Sequence, residues 1–287
     1  MPRVAYVDGR FRPLSDACVS VEDRGFQFSD GVYEVWAVLD GRLAEWDGHW
    51  TRLKRSLAEL RIAEPALEAA MLSVLRETVR RNRVRDGLLS LQVTRGAARR
   101  DHPFPDPPVR PTVTATCKPI SPAALEARAA AGVSVVTRPD IRWGRADIKS
   151  VSLLPNILAK QAAKEAGAAE AWLVDEAGLI TEGASTNAWI LDGEGRLRTR
   201  STQSNILNGV TRTSLLSIAR REGLPVAETP FTPDDVRTAR EAFFTAASAY
   251  VTPVVRIDGA PVGEGTPGPV SRRLRSLYLQ HARETAV

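Results

Sequence analysis

Among the residues able to act as nucleophiles, Lys149 is set apart by its surroundings. It is one of five lysines in the 287-residue chain and lies in Asp147-Ile148-Lys149-Ser150-Val151. Apolar neighbours strip hydration from an ammonium and favour the neutral amine, the form that attacks a carbonyl to give a Schiff base. The other lysines have plainer readings: Lys54, Lys160 and Lys164 fall at solvent-facing positions of helical patterns, and Lys118 sits in a proline-flanked connector. A lone lysine in an apolar run is more often a snorkelling or strand-edge residue, so chemistry at Lys149 requires partners elsewhere in the chain.

Other chemistries find little support. Cys18 and Cys117 are too few and too far apart for a disulfide framework, and the three histidines make no metal-ligand spacing. Gly263-Glu264-Gly265-Thr266-Pro267-Gly268 matches the dinucleotide fingerprint letter for letter. That fingerprint needs a preceding buried strand, a helix opening inside it and an acid about 20 residues on, whereas here the chain is nearly finished and Pro267 intervenes. The net charge of +5 is spread over 39 basic and 34 acidic residues with no basic stripe, which argues against nucleic acid as a partner. No run approaches the ~18 apolar residues of a membrane span, and the opening Met1-Pro2-Arg3-Val4-Ala5-Tyr6-Val7-Asp8 lacks the pattern of an export signal. The expectation is a cytoplasmic protein whose 43% apolar content can bury two cores.

The elements that must position Lys149 follow from periodicity. Arg3 to Val7 and Arg10 to Leu14 read as strands joined by an Asp8-Gly9 turn, and Val32 to Leu39 and Arg42 to Trp46 as a second hairpin around Asp40-Gly41. Trp50, Leu53, Leu57 and Leu60 recur at helical spacing, as do Leu67, Met71, Leu75 and Val79 after Pro65 at a helix start. Strands over Gly87 to Thr94 and Pro111 to Cys117 complete this part, and Lys118-Pro119-Ile120-Ser121-Pro122 reads as the way out of it. Beyond lie strands at Val133 to Thr137, Ala171 to Val174, Asn187 to Leu191 and Glu241 to Thr245. Helices are expected near Asn156 to Glu165, Thr211 to Arg221 and Pro267 to Ala282. The mixture predicts two α/β (α+β) domains, a small one over 1–118 and a larger one over 126–287 joined by a linker at 119–125, with a small-molecule site in the cleft between them.

Three segments add a resemblance to this reading. They are Glu22-Asp23-Arg24-Gly25-Phe26-Gln27-Phe28-Ser29-Asp30-Gly31-Val32-Tyr33-Glu34, then Asp147-Ile148-Lys149-Ser150, then Thr181-Glu182-Gly183-Ala184-Ser185-Thr186-Asn187. In this order and spacing the chain resembles the fold-type IV pyridoxal 5'-phosphate aminotransferases, and among them the D-amino acid aminotransferases, from about Val4 to the Asp258-Gly259 turn.

The resemblance implies that Lys149 holds pyridoxal 5'-phosphate as a Schiff base and then moves a proton from the substrate Cα to C4′. It implies that Glu182 faces the pyridine nitrogen and that Leu207 packs against the ring. Arg52, with Gly209, Val210 and Thr211 at a helix start, would hold the phosphate together with Ala247 and Ser248. Tyr33, Arg100 and His102 would trap the substrate carboxylate, for in an extended loop residues two apart point the same way. In such enzymes the loop reaches over from a partner subunit, which implies a homodimer with shared sites. Ala246-Ala247-Ser248 departs from the pattern, since hydroxyl residues usually stand there. The implied activity transfers the amino group of a D-amino acid, such as D-alanine or D-glutamate, to a 2-oxo acid such as 2-oxoglutarate. An (R)-selective amine transaminase or mixed enzyme is the nearest alternative, with aminodeoxychorismate lyase and branched-chain aminotransferase behind it.

Overall fold

The protein is described from a computed structural model, covering residues 3–203 and 205–287. The chain divides into two compact units. The first takes the residues up to Ser121 together with Ile148–Ser152 and Thr285–Val287, and the second takes Pro122–Asp147 and Leu153–Glu284.

In the first unit the order is β1 (Val4–Val7), β2 (Arg10–Pro13), α1 (Arg24–Phe28), β3 (Gly31–Leu39), β4 (Arg42–Leu43), α2 (Trp46–Glu59), α3 (Glu68–Asn82), β5 (Gly87–Thr94) and β6 (Thr112–Pro119). Among the described residues the strands form an antiparallel sheet in the order β2-β1-β6-β5-β3-β4. Asp8 and Gly9, and likewise Asp40 and Gly41, all have positive φ, the conformation that lets a two-residue turn follow the twist of its strands. Alternation then sorts the faces. Val32, Glu34, Trp36 and Val38 of β3 point the same way as Leu89, Leu91 and Val93 of β5, beneath α2 and α3. Trp46 stacks on Trp36 at 5.4 Å and on Trp50 at 5.5 Å, so one helix turn is fixed to the sheet by three indole rings.

Local chemistry adjusts two boundaries. The strand expected from Arg42 to Trp46 ends at Leu43, because Glu45 turns left-handed at φ 55° and Trp46 already opens α2. Pro65 lies ahead of α3, whose N-cap is Leu67.

The second unit runs α4 (Pro122–Ala131), β7 (Val133–Pro139), α5 (Leu154–Glu165), β8 (Glu170–Val174), β9 (Ile180–Gly183), β10 (Asn187–Leu191), β11 (Leu197–Thr199), α6 (Val210–Arg221), β12 (Val226–Ala227), α7 (Pro233–Thr238), β13 (Glu241–Ala246), β14 (Tyr250–Ile257), β15 (Ala260–Pro261) and α8 (Pro269–Glu284). Pro122, at the first position of α4, starts a helix within 119–125, where a preset φ and a missing N–H cost nothing. Among the described residues the sheet order is β12-β11-β10-β13-β14-β7-β8-β9, with β15 beside β14. The pairs β14–β7 and β7–β8 are parallel and β10–β13–β14 antiparallel, so the sheet is mixed. Trp172, Ile180, Ala188, Ile190 and Phe244 bury one core with Phe231 and Val236, while α6 and α8 cover β13 and β14. No helix among the described residues is long and apolar enough to cross a membrane, and no cluster of metal-ligating side chains is present among them.

Candidate active site

In the first unit, the segment around Lys149 is laid along the edge of β3. The Tyr33 amide donates to the Lys149 carbonyl at 3.0 Å, the Val151 amide donates to Gly31 O at 3.0 Å, and Val32 bridges Ser150. Extended backbone alternates its side chains, so Ile148 and Ser150 are buried while Lys149, between them, is half-buried. Its amide donates to Ser56 Oγ of α2 at 3.4 Å. The side chain meets Tyr33, with Nζ 4.2 Å from the ring centroid. Two residues assigned from the sequence to nucleophile and substrate contact are thus brought together by neighbouring extended segments. Lys160, read as solvent-facing, keeps its side chain partly exposed and pairs with buried Glu170 at 3.2 Å.

Arg52 lies across the sheet from Tyr33, because Glu34 is the next residue along β3 and points to the opposite face. Glu34 is fully buried and receives Arg52 Nε at 2.7 Å, Arg52 Nη2 at 2.8 Å and the His49 ring at 2.7 Å. Burial opposes its charge, but Arg52, and to a lesser degree His49, outweigh that and hold its pKa down to about 2. For His49, burial is the larger influence and lowers the pKa despite Glu34. Arg52 is therefore a fixed cation, not a freely swinging helical arginine.

Arg100 and His102 gather at one ring. The Arg100 guanidinium carbon is 4.9 Å from the centroid of Phe28, and the His102 ring is 5.6 Å from it. Both side chains are exposed.

In the second unit, Glu182 ends β9 and is buried. Its Oε1 accepts from the Leu207 amide at 3.1 Å and from Arg142 Nη1, and its Oε2 accepts from Asn187 Nδ2 at 2.8 Å. Asp140 holds Arg142 through Nε at 2.9 Å and Nη2 at 2.7 Å, and accepts from the Thr181 hydroxyl at 2.7 Å. Burial pushes the Glu182 pKa up against the pull of Arg142 and the Leu207 amide, and Asp140 adds to the rise. Burial works against the Arg142 cation, but Asp140 and Glu182 prevail and its pKa is raised. Asp140, Arg142 and Asn187 carry no role in the sequence reading. Asn187 closes the quoted Thr181–Asn187 motif, and the Asp140-Ile141-Arg142 spacing, two residues apart after a strand, was the available signal for the other two.

Leu207 leads into Gly209, the N-cap of α6, followed by Val210 and Thr211. A Cβ at Gly209 would meet Asn187 Oδ1 at 2.0 Å, so the absence of a side chain lets the helix start lie against the Glu182 network. Thr211 is buried and its hydroxyl lies 3.1 Å from Tyr278 OH of α8. Ala247 and Ser248 occupy the turn between β13 and β14, which closes on Tyr250 at φ 59°. Buried Arg275 donates to the carbonyls on either side of Tyr250, Ala249 O at 3.1 Å and Val251 O at 2.7 Å, and so fixes that turn from α8.

Residues 31–257, from Gly31 beside Tyr33 to the end of β14, match the family model described as amino-transferase class IV. The chain belongs to this family. As a class IV amino-transferase it is 42% identical to the D-alanine aminotransferase of Bacillus licheniformis over 269 residues, 94% of this chain and 93% of the relative. It is 38% identical to the D-alanine aminotransferase of Staphylococcus haemolyticus, with 96% of both covered. Among solved structures it is similar to a T.th. branched-chain amino acid aminotransferase with pyridoxamine 5'-phosphate, at 27% identity and a TM-score of 0.89, covering 100% of this chain and 98% of the other.

Class IV amino-transferases are pyridoxal phosphate enzymes, and the donor set of this member fits that cofactor. The first unit has a half-buried primary amine of the kind that condenses with an aldehyde, and the second has a buried carboxyl with a raised pKa and a glycine-led helix start of the kind that binds an anion. Thr186 Oγ1, next to Asn187, is buried without a hydrogen-bond partner, a polar atom that an apolar scaffold would not retain.

Proposed function

We propose that this class IV amino-transferase moves the amino group of a D-amino acid to a 2-oxo acid with pyridoxal 5'-phosphate as cofactor. The reading is carried by the near full-length likeness to D-alanine aminotransferases, stronger in identity than that to the branched-chain enzymes whose fold it shares. When bound, the cofactor supplies an aldehyde that condenses with primary amines and a ring that accepts the electrons left when a Cα–H bond breaks.

The chain's own residues do the rest. Lys149 Nζ would hold the cofactor through its aldehyde and, once freed by the substrate amine, would serve as the base for the Cα proton. The Tyr33 ring, 4.2 Å from that nitrogen, limits where it can swing and borders the space for the substrate. Glu182 is pinned by Arg142, Asn187 and the Leu207 amide, and would share a proton with the pyridine nitrogen so that the ring accepts electrons. Arg52, Thr211 and the amides of Val210, Ala247 and Ser248 would hold the phosphate, with Gly209 allowing close approach and Leu207 packing against the ring. Arg100 and His102 bind the substrate carboxylate with charge-assisted hydrogen bonds.

The active species is a homodimer in which that loop serves the partner's site. Support comes from the exposure of Arg100 and His102 and from the apolar Leu154, Ile157 and Leu158, left open at helical spacing on α5. A half-reaction tests the proposal. D-Alanine is expected to convert the bound cofactor to its amine form, read by absorbance, while L-alanine does not and Lys149→Ala abolishes the conversion. Equal conversion by both enantiomers refutes the assignment of D-amino acids, and a borohydride-fixed cofactor mapped to any residue other than Lys149 refutes the site.

A further inference from the structure

The loop carrying Arg100 and His102 has little regular structure of its own between β5 and β6, yet its main chain is tied down from beneath. Arg24, the first residue of α1, is 4% exposed. Its Nε donates to Asp30 Oδ2 at 2.8 Å, Nη1 to the Asp101 carbonyl at 2.6 Å and Nη2 to the His102 carbonyl at 3.1 Å. Asp30 also receives Arg95, through Nε at 2.7 Å and Nη2 at 2.9 Å. Arg95, also buried, donates to the carbonyls of Leu60 and Arg61 at 2.7 and 2.9 Å and lies 3.6 Å from the ring centroid of Phe104. One carboxylate thus anchors two arginines: one grips the loop at 101 and 102, the other at 104. The same Arg24 guanidinium lies 4.9 Å from the Phe28 ring, on which Arg100 also rests.

Apolar packing would stabilise a loop as well as a buried cluster of two cations and one anion does, because desolvating the charges consumes most of their attraction. What the cluster adds is direction: it fixes carbonyls and leaves the neighbouring side chains outward. We propose that Arg24, oriented by Asp30 and seconded by Arg95, is the positioning residue for the carboxylate-binding loop, and that it sets the enzyme's affinity for substrates bearing a carboxylate next to the amine. This rests on the reading of Arg100 and His102 as carboxylate ligands. A loop whose main chain is already fixed at residues 101 and 102 forgoes part of the cost of ordering on binding, which raises its affinity for a carboxylate.

The test uses the cofactor-loaded enzyme and two ligands: propanoate, a carboxylate that cannot react, titrated by the change in cofactor absorbance, and D-alanine in the single-turnover half-reaction. In Arg24→Met the propanoate dissociation constant and the D-alanine concentration for half-maximal rate are expected to rise together by about tenfold, with the maximal rate within about threefold of wild type. Phe104→Ala, a change at a 45% exposed ring that endangers no core, is expected to shift both in the same direction by less. Unchanged propanoate affinity in Arg24→Met overturns the proposal, as does a fall in maximal rate without loss of affinity. A wild-type enzyme inert to D-alanine would instead sink the proposed function, and the propanoate titrations would still decide the role of Arg24.

Discussion

Replacing Glu34 by Gln keeps the shape of the side chain and removes the charge that Arg52 and His49 share. In the wild type the carboxyl is held from 4.5 down to about 2. A depressed carboxylate pKa means that the anion stabilises the fold above pH 4.5 and that this contribution fades as pH falls from 4.5 toward 2. At about 1.4 kcal/mol per unit, the span is worth about 3 kcal/mol at neutral pH, of which about 2 kcal/mol is gone by pH 3. Hydrogen exchange of the amides in β3 reports the opening free energy of that part of the chain without requiring the whole protein to unfold in one step. Glu34→Gln is expected to open more easily than wild type by about 3 kcal/mol at pH 7, and the gap is expected to close to about 1 kcal/mol at pH 3. A gap that stays constant between pH 7 and 3 would show that Arg52 does not hold the carboxylate ionised, and the account of Arg52 as a fixed cation would fail with it.

Two further outcomes follow from the second unit. Glu182→Gln should retain a borohydride-trappable cofactor on Lys149 but slow the half-reaction by about 10²–10³-fold, the usual loss when one preorganised electrostatic partner is removed, and a rate within threefold of wild type would contradict its role at the pyridine nitrogen. Gly209→Ala brings a methyl to within 2.0 Å of Asn187 Oδ1 and must displace the amide that bonds Glu182 and the Leu207 carbonyl at 2.8 and 3.0 Å. A loss of about 1–3 kcal/mol in thermal denaturation is expected, largely absent when Asn187→Ala is already present, and simple additivity of the two changes would show that they are not coupled.

Much of the scaffold was legible in local pattern. Gly87 to Thr94 and Asn187 to Leu191 are strands over the expected residues, because alternation and turn residues act over a few neighbours. The helix at Pro122–Ala131 was hidden because Lys118-Pro119-Ile120-Ser121-Pro122 carries the composition of a connector, while the alanines after it give no apolar stripe. The pairing of Lys149 with Tyr33 was implicit in two motifs, although nothing in either says that one lies along the edge of the other. Least legible were the charged clusters. Arg24, Asp30 and Arg95 are drawn from two distant segments, and no periodicity links them, since their partnership exists only after β3 and β5 have paired. Asp140 and Arg142 likewise meet Glu182 only after β7, β8 and β9 have paired.

The edge of β3 at Gly31–Tyr33 is closed by Lys149, Ser150 and Val151, and Leu43 exchanges main-chain hydrogen bonds with Val287 at 2.8 and 3.0 Å. The amino-terminal unit is therefore not a contiguous stretch of polypeptide. On a ribosome it cannot be finished until Val287 has been made, and a fragment ending at Ser121 would present an open β-edge to its neighbours, a surface prone to pairing with other copies. The segment of Lys149, the proposed nucleophile, thus doubles as part of the cover that keeps this edge out of such encounters.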